Sequence, residues 1–487
     1  MLQNVRFSAF SVLVAMSLGL TACGGGSSST PISTIISVPA PATYTVGGNV
    51  SGLAAGQSVT LLDNSGDSYN ALASGAFTFA TGLATGVSYA VTVGAQPMSQ
   101  ICAVTNGTGT MGSSSVTNVG VNCLNPGESV LYSFAGGTDG ANPYFAGLVQ
   151  DASGNLYGTT AYGGTSSNNG TVFKITAAGV ESVLYSFAGG ADGANPYASL
   201  VLDAGGNLYG TTQQGGANNT GTVFKITAAG VESVLHSFVG GADGANPDAN
   251  LLLDASGNLY GATTLGGANG YGTVFKITSA GAESVLHSFV GGTDGAYPDA
   301  GLILDASDNL YGTTYAGGAH SKGTVFKITT AGMESVLYAF GSSGADGTNP
   351  HAGLVLDASG DLYGTTLNGG ASSHGTVFKI ATDGTGYLAL HSFGVAPDGA
   401  YPASGLIQDA GGNLYGTTQN GGSNSRGMVF KLTGAGYNVY SVLYSFGAAP
   451  DGTDPNAGLV LDASGNLYGT TYQGGASGNG TVFRIVP

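Results

Sequence analysis

Tryptophan is absent from the chain, and charged residues make up only 8% of it, where about a quarter is usual. The few charges are unequally divided, since 10 lysines and arginines stand against 27 aspartates and glutamates. A protein that binds nucleic acid needs a basic surface that neutralises phosphates, so a nucleic-acid partner is excluded. Solubility is the plain explanation of the acidic balance, and cation binding is the alternative.

Cysteine is also rare, with Cys23, Cys102 and Cys123 as its three occurrences. No C-x-x-C pair is present, so the sequence gives no support to a redox role. In an exported protein, Cys102 and Cys123 would remain as an even pair, which predicts a disulfide. That bond would close a loop of about twenty residues and contribute roughly 3 kcal/mol in the chain-entropy model.

Long hydrophobic runs are missing as well. Residues 7–20 are apolar but too short to span a bilayer comfortably, and they follow a weakly positive start at Arg6. The next residues, Leu20-Thr21-Ala22-Cys23, resemble a bacterial lipobox. This resemblance implies cleavage before Cys23 and diacylation of its thiol. An ordinary secretory signal with a chance cysteine is the alternative.

The same stretch predicts how the N-terminus is organised. We expect residues 1–22 to be a lipoprotein signal peptide, and residues 23–43, rich in Ser, Thr, Pro and Gly, to be a flexible linker with lipidated Cys23. Gly24 after the cysteine favours the outer membrane or cell surface of a bacterium. We therefore expect an exported, lipid-anchored monomer that contacts the membrane through its anchor only.

Glycine, in contrast, is abundant, at 88 residues, without the G-X-Y period of collagen. Over residues 44–124, short alternating runs such as GAFTFATGL and SYAVTVGAQP are separated by Gly, Asn and Asp. This pattern predicts a small antiparallel β-sandwich. Its texture resembles Ig-like or carboxypeptidase-regulatory-like modules, which implies a spacer domain.

From residue 128 onward the sequence is one repeat. Each unit has four strand-like runs and no helix signals; in one copy the runs are residues 199–203, 207–212, 221–227 and 232–238. Four strands in each step of 51 to 53 residues are typical of a propeller blade. The tyrosine of the L-Y-G phrase recurs at Tyr157, Tyr209, Tyr260, Tyr311, Tyr363, Tyr415 and Tyr468.

The two ends of the repeat region predict how the array closes. The region starts with an isolated fourth strand at residues 128–134, and it stops after a third strand just before Pro487. If the first strand pairs into the last unit, seven units are complete and no sheet edge is left open. We predict an all-β protein in which residues 128–487 form a closed seven-bladed β-propeller after the sandwich.

The phrase L-x-x-D-x-x-G-N-L-Y-G-T-T, followed by GG and then by G-T-V-F-K-I, resembles the GloVer tandem repeat of bacterial surface proteins with varied anchors. The resemblance covers about residues 128–487, and the motif recurs seven times. More distantly, the texture is similar to NHL-type propeller repeats. The family brings no established catalytic residues, so none is carried over to this chain.

Three charged positions recur in every unit. The aspartate of D-G-x-x-P predicts a turn, with a ring of seven carboxylates that hold cations as the alternative. A cation in the third strand is expected to pair across the following hairpin with Glu181, Glu232, Glu283 or Glu334; a ligand-binding ring of lysines is the alternative. The aspartate before A-x-G is expected to accept backbone N–H groups of its own turn. The three sets are Asp139, Asp192, Asp243, Asp294, Asp346, Asp398 and Asp451; Lys174, Lys225, Lys276, Lys327, Lys379, Lys431 and Arg484; and Asp151, Asp203, Asp254, Asp305, Asp357, Asp409 and Asp462.

Differences between the units indicate where a ligand binds. In a propeller, the loops before the first strand share a face with the loops between strands two and three, and the second set varies here. We predict that this face binds the ligand. The candidate residues on it are Tyr144, Tyr197, His320, His374 and Arg426.

The residue after the repeat proline also varies, and in three successive units it is Asp248, Asp299 and His351. Two carboxylates and an imidazole suit a divalent cation, such as calcium, at the channel mouth; chance variation at an exposed position is the alternative. Three other histidines, His236, His287 and His391, replace a tyrosine of the fourth strand and are predicted to be packing variants.

No segment resembles a nucleophile elbow, an H-E-x-x-H motif, a phosphate loop or a reactive cysteine. The favoured hypothesis is a lipid-anchored surface protein whose propeller recognises an extracellular glycan or protein, or acts as a scaffold, without catalysis. One alternative is a multivalent carbohydrate binder that uses polar pockets between blades. The other is a metal-dependent hydrolase or lyase centred on Asp248, Asp299 and His351.

Overall fold

A computed structural model describes residues 42–53, 58–64, 66–95, 101–124, 127–145, 147–166, 168–434 and 436–486. In these ranges every regular element is a β-strand, apart from short 3₁₀ turns at Gly137–Asp139, Gly190–Asp192 and Gly241–Asp243. None of the described residues belongs to a helix long and apolar enough to cross a membrane. The predicted signal peptide, Cys23 and most of the linker lie outside the described residues.

Residues 42–124 form two four-stranded sheets around one core. The strands are β1 (Thr43–Tyr44), β2 (Val46–Ser51), β3 (Val59–Asp63), β4 (Asp67–Ala71), β5 (Gly75–Thr78), β6 (Leu83–Ala84), β7 (Ser88–Ala95), β8 (Ile101–Thr105), β9 (Thr108–Thr110) and β10 (Val116–Leu124). The sheet orders are β5-β2-β10-β8 and β4-β3-β7-β9, beside a β1-β6 pair. Alternate side chains of both sheets, such as Leu61 and Val121, are buried together because successive residues of a strand point to opposite faces.

The prediction of a purely antiparallel sandwich is wrong in one pairing, because β2 and β10 run parallel. Parallel neighbours need a long crossover connection, and strands β3 to β9 provide it. Next to this pair, Cys102 of β8 lies opposite Cys123 of β10, and a disulfide joins the two residues in the core.

From Gly127 onward the chain forms seven four-stranded sheets, which we call units 1 to 7. Unit 1 is β12 (Val149–Gln150), β13 (Leu156–Thr160), β14 (Thr171–Ile175) and β15 (Glu181–Ser186); unit 2 is β16 (Val201–Leu202), β17 (Leu208–Thr212), β18 (Thr222–Ile226) and β19 (Glu232–Ser237); unit 3 is β20 (Leu252–Leu253), β21 (Leu259–Thr263), β22 (Thr273–Ile277) and β23 (Glu283–Ser288); unit 4 is β24 (Ile303–Leu304), β25 (Leu310–Thr314), β26 (Thr324–Ile328) and β27 (Glu334–Ala339). Unit 5 is β29 (Val355–Leu356), β30 (Asp361–Thr366), β32 (Thr376–Ala381) and β33 (Leu388–Ser392); unit 6 is β35 (Ile407–Gln408), β36 (Leu414–Thr418), β38 (Met428–Thr433) and β39 (Val439–Ser445); unit 7 is β41 (Val460–Leu461), β42 (Leu467–Thr471), β44 (Thr481–Val486) and β11 (Gly127–Ser133).

The strand pairing agrees with the sequence pattern. Units 1 to 6 pair their strands antiparallel in chain order, and the four predicted strands of unit 2 are confirmed, the first being only two residues long. In unit 7 the fourth strand is β11, which pairs with β44 from the far end of the chain. Short pairs also join the loops: β28 (Gly347–Thr348) with β31 (Asn368–Gly369), β34 (Gly399–Ala400) with β37 (Asn420–Gly421), and β40 (Gly452–Thr453) with β43 (Gln473–Gly474).

The third strand of each unit packs against both neighbouring units. In unit 1, Val172 is buried in a cluster with unit 2, and Phe173 is buried in a cluster with unit 7. This follows from the alternation of side chains along a strand. We call each interface between neighbouring units a seam. The cluster of Phe134, Phe173 and Val482 is the seam between unit 7 and unit 1.

The repeated aspartate before A-x-G forms the turn between the first two strands, as predicted. In unit 2, Asp203 Oδ1 accepts the backbone N–H groups of Gly205 and Asn207, each at 2.8 Å. Its Oδ2 accepts Asn207 Nδ2 at 2.7 Å and Tyr209 Oη at 3.0 Å. Burial acts in the opposite direction, but these hydrogen bonds hold the pKa of Asp203 below its ordinary value. The same backbone contacts recur at Asp151, Asp254, Asp305, Asp357, Asp409 and Asp462.

The predicted cross-strand pair of lysine and glutamate is wrong. In unit 2, Lys225 lies opposite Ser233, whereas Glu232 lies opposite Ile226. Glu232 and Ser233 are adjacent along the strand, so their side chains point to opposite faces, and Glu232 lies on the face away from Lys225. Lys225 Nζ instead lies 5.3 Å from the centre of the Tyr209 ring, a cation–π contact that recurs in units 1 to 6.

Candidate functional site

A cavity of about 910 Å³ lies where the seven units meet, and every unit lines it. The first ring of lining residues follows the repeat proline, and the second ring follows the end of the second strand. The first ring is Tyr144, Tyr197, Asp248, Asp299, His351, Ala403 and Asn456; the second contributes Gln213, Thr264, Gln419 and Tyr472 directly after the strand, and Tyr162 one residue further along.

The residue before each proline directs the first ring to the cavity. Asn195 has a φ of 56°, in the left-handed region that asparagine adopts more readily than most residues. Its Nδ2 donates to the carbonyl oxygen of Ala161 in unit 1 at 3.0 Å. The loop of one unit is thereby fixed to the preceding unit, and Tyr197 follows two residues later. Asn142, Asn246 and Asn349 have the same backbone geometry and equivalent bonds.

One wall of the cavity is acidic. His351 Nε2 lies 3.2 Å from Asp299 Oδ2, and Asp248 Oδ2 accepts a hydrogen bond from Thr264 Oγ1 at 3.2 Å. Burial raises the pKa of Asp248 to about 7 and the pKa of Asp299 well above its ordinary value, and it lowers the pKa of His351. Three nearby atoms, Asp248 Oδ1, Asp299 Oδ1 and His351 Nδ1, are buried with no hydrogen-bond partner among the described residues.

Unpartnered buried polar atoms are costly to a folded protein. A ligand that hydrogen-bonds to these three atoms would offset that cost. The acidic wall is therefore one place in the described structure where a polar ligand would be stabilising.

The opposite wall is aromatic. The Tyr144 ring packs edge-on against Tyr197 and Tyr472, with centroid distances of 5.2 and 5.0 Å. Tyr162 Oη lies 3.5 Å from Tyr197 Oη, so the hydroxyl groups of units 1 and 2 converge. Tyrosine offers an apolar ring face together with a polar hydroxyl, which suits a ligand that has both kinds of surface.

Phe145 connects the two walls. Unit 1 has one residue more than any other unit between the repeat proline and the turn aspartate, and Phe145 is next to the proline-following tyrosine in that longer loop. Its φ of 52° is unusual for an aromatic residue. The ring lies 4.7 Å from the imidazole of His351, which belongs to unit 5. The extra residue therefore places an aromatic ring from unit 1 against the acidic wall.

The described residues that line the cavity include three carboxyl groups and no lysine or arginine. The third carboxyl belongs to Asp454. Burial raises the pKa of this carboxyl, and the nearby charge of Arg426 partly offsets the rise. The cavity is thus acidic, which disfavours a polyanionic ligand.

The predicted site residues separate into two groups. Asp248, Asp299, His351, Tyr144 and Tyr197 all line the cavity. The remaining candidates do not contribute to its lining: the His374 imidazole lies 5.8 Å from the Tyr401 ring, and His320 and Arg426 belong to the neighbouring outer loops. The short pairs between the two sets of loops confirm that these loops share one face.

The metal centre predicted for the cavity stays a prediction. Within the described residues, two other groups have ligand atoms that all lie within 4.8 Å of one another. Those groups are His236, Asp243 and Glu283, and His287, Asp294 and Glu334.

Sequence reasoning missed Phe145 and the second ring. Both left a signal, because the residue after T-T varies between units as much as the residue after the proline, and the loop of unit 1 is one residue longer than the others.

The D-G-x-x-P aspartates lie at the seams, away from the cavity. Asp192 accepts Tyr185 Oη at 2.7 Å and the backbone N–H of Ala188 at 2.5 Å. His236, His287 and His391 make the equivalent contact to Asp243, Asp294 and Asp398 at 3.1 to 3.3 Å. These histidines are therefore more than packing variants, because they replace a tyrosine as hydrogen-bond partner.

In four of the seams, a glutamate of the following unit lies near the aspartate. Burial, and then the charge of Asp192, raises the pKa of Glu232 to about 7. A carboxyl group with a higher pKa in the folded protein binds its proton more tightly there. Its contribution to stability is complete below the unfolded pKa of about 4.3 and is lost as the pH rises through about 7.

Replacing Glu232 with glutamine is expected to stabilise the protein at pH 8 relative to the wild type and to have less effect at pH 5. Glutamine keeps the shape of the side chain and cannot ionise beside Asp192. Melting temperatures of both proteins at the two pH values measure this difference. Val180→Ala, at an exposed position of the preceding unit, is the control without a charge change. A Glu232→Gln effect that is the same at both pH values would contradict the assignment.

Two solved structures show what the chain resembles in fold. The oligogalacturonate lyase from Vibrio parahaemolyticus matches with a TM-score of 0.51 and 10% identity, over 83% of this chain and 99% of that chain. The extracellular domain of a one-component system from B. thetaiotaomicron matches with a TM-score of 0.46 and 10% identity, over 72% of this chain and 39% of that chain. At these identities the likeness concerns the fold alone.

A search of curated proteins finds no significant match. The model of the Gloeobacter/Verrucomicrobia repeat, in contrast, matches twice, over residues 88–326 and 301–487. The two matches overlap and together extend over most of the chain. They include all seven copies of the L-Y-G phrase and the loops that line the cavity. This all-β, propeller-like chain belongs to the Gloeobacter/Verrucomicrobia repeat family.

Proposed function

We propose that the protein is exported and lipid-anchored at a bacterial surface, where a closed seven-bladed propeller binds a neutral saccharide in its central cavity without converting it. The proposal has three parts: a cellular location, a fold and a binding site. A different part of the chain supports each of them.

The closed propeller is supported by the pairing and packing of units 1 to 7. Six seams join consecutive units, and the seventh joins unit 7 to unit 1 through Phe134, Phe173 and Val482. The pairing of β11 with β44 supplies the fourth strand of unit 7. Residues 44–124, with their own core, serve as a sandwich spacer between the linker and the propeller.

The observation that carries the binding proposal is the position of the differences between units. The turns between the first two strands repeat from unit to unit, whereas the first ring of the cavity contains tyrosine, aspartate, histidine, alanine and asparagine at one equivalent position. Fold requirements are the same in every unit and do not explain this variety. A ligand that contacts each unit differently does.

The chemistry of the two walls favours a saccharide. Tyrosine rings suit the apolar face of a sugar, and the carboxyl, imidazole and amide groups opposite suit its hydroxyl groups. The absence of lysine and arginine among the described lining residues argues against a polyanion such as oligogalacturonate, the substrate named for the lyase of similar fold. We therefore favour neutral sugars in one central site over the multivalent pockets between blades.

A glycan array probed with the full-length protein in detergent tests this proposal. We expect retention of neutral saccharides, and loss of that retention in Tyr197→Ala. Retention of acidic saccharides alone, or of none, would contradict the saccharide assignment.

Replacing Cys23 with alanine is expected to release the protein from the membrane fraction. The thiol of Cys23 is the only lipid attachment point in the proposal, and stable membrane binding depends on such chains. Fractionation of expressing cells, followed by immunoblotting, measures the distribution of the protein. Thr21→Ala, a neighbouring change that keeps the cysteine, is the control. Equal membrane association of Cys23→Ala and the wild type would show that Cys23 is not the anchor.

A second candidate is a hydrolase or lyase at the same cavity. The contact between Asp299 and His351 favours it, because a carboxyl group with a raised pKa beside an imidazole with a lowered pKa is suited to acid–base chemistry. Incubation of the wild type and Asp299→Asn with a retained saccharide, followed by product analysis, separates the candidates. Cleavage by the wild type but not by the variant would replace binding with catalysis.

A further inference from the structure

We propose that two consecutive seams are zinc-binding sites, one formed by His236, Asp243 and Glu283 and the other by His287, Asp294 and Glu334. In each set, the imidazole and the aspartate come from the end of one unit, and the glutamate comes from the fourth strand of the next unit. The three ligand atoms of each set lie within 4.8 Å of one another. The sites are separate from the central cavity.

The distances within each set suit a tetrahedral ion. Zinc bonds of 2.0–2.2 Å to nitrogen and oxygen place neighbouring ligand atoms about 3.3 Å apart. His236 Nε2 lies 3.1 Å from Asp243 Oδ1, and His287 Nε2 lies 3.3 Å from Asp294 Oδ1. Two ligands of each set are therefore already spaced for one ion, and the glutamate oxygen, within 4.8 Å of both, supplies the third.

The charges at these seams also favour a bound cation. The Oε1 atoms of Glu283 and Glu334 are buried and have no hydrogen-bond partner among the described residues. The lysine of unit 3, Lys276, lies over the Tyr260 ring, 5.1 Å from its centre. Two carboxylates and an imidazole thus converge, and no lysine or arginine among the described residues forms an ion pair with them.

Other seams of the same chain lack the full ligand set. In units 5 and 6, Tyr387 and Tyr440 each donate a hydroxyl hydrogen bond, at 2.7 Å, to Asp346 and Asp398, so a hydroxyl group satisfies the aspartate. At two earlier seams the aspartate and glutamate are present, but a tyrosine takes the place of the histidine. Those seams contain Tyr132, Asp139 and Glu181, and Tyr185, Asp192 and Glu232.

The ligand chemistry selects the metal. Imidazole together with carboxylates suits zinc, whereas calcium prefers six to eight oxygen ligands. Three protein ligands leave a fourth position for water. An ion at each seam would join two neighbouring units.

The test uses the full-length protein, freed of metal with a chelator and then titrated with Zn²⁺ by calorimetry. We expect two Zn²⁺ per chain in the wild type, one in His236→Tyr, one in His287→Tyr and none in the double variant. The chain itself has tyrosine at the equivalent positions 132 and 185. A tyrosine side chain therefore fits this place in the seam, and the variants should fold. Tyr185→His, which completes the ligand set at another seam, is expected to bind a third ion.

Asp299→Asn is the matched control for the cavity and should retain both ions. Absence of Zn²⁺ binding by the wild type would overturn the proposal. Two ions retained by the double variant, or equal binding of Ca²⁺ at the same positions, would overturn it as well. None of these outcomes depends on saccharide binding.

Discussion

Replacing Phe134 with alanine is expected to lower the free energy of unfolding by about 3–5 kcal/mol. Phe134 is fully buried, and its ring lies 5.0 Å from Phe173 in the seam between unit 7 and unit 1. In a closed ring this seam is equivalent to every other, although its residues come from opposite ends of the repeat region. Thermal and denaturant unfolding of the purified protein measure the loss.

Phe238→Ala is the matched control, because Phe238 occupies the equivalent place in the seam between units 2 and 3, 5.1 Å from Phe275. The two variants should lose a similar amount of stability. Val180→Ala changes a residue that is 62% exposed and should remain within about 0.5 kcal/mol of the wild type. If Phe134→Ala resembles Val180→Ala rather than Phe238→Ala, the array is open.

Replacing Tyr197 with alanine is expected to weaken saccharide binding by about 30-fold or more, which corresponds to about 2 kcal/mol. The substitution removes a ring from the aromatic wall and the hydroxyl group that approaches Tyr162 at 3.5 Å. Titration calorimetry with a saccharide retained on the array measures the change in affinity.

Tyr271→Ala is a suitable control for this effect. Tyr271 is 36% exposed and packs at 5.9 Å against Tyr297, outside the lining of the cavity. Its removal should leave affinity within a factor of about two of the wild type. An equal loss in both variants would point to a general disturbance of the units, and no loss in Tyr197→Ala would place the ligand elsewhere.

Local regularities of the fold could be predicted from the sequence because each unit repeats them. The turn at Asp203 depends on contacts within five residues, and each step between L-Y-G phrases contains four strand-like runs. The acidic residues of the cavity could also be predicted, because Asp248, Asp299 and His351 differ from their equivalents in other units. Comparison between units was sufficient in both cases.

Contacts set by register could not be predicted in the same way. In unit 2, Ser233 takes the place opposite Lys225, and Glu232 lies one residue away on the other face of the sheet, where the charge of Asp192 acts on it. Strands β2 and β10 pair in parallel although strands β3 to β9 lie between them in the sequence, so the pattern of either strand alone does not predict this pairing. The approach of Phe145 to His351 joins units 1 and 5, which are far apart in the sequence.

An experimental structure of the protein with a retained saccharide would locate the ligand. We expect a sugar ring in the central cavity, packed on Tyr144 or Tyr197, with hydroxyl groups within hydrogen-bond distance of Asp248 Oδ1 and Asp299 Oδ1. These atoms are buried and unpartnered in the described structure. A saccharide bound on the outer loops or at a seam, with the cavity filled by water alone, would contradict binding in the central cavity.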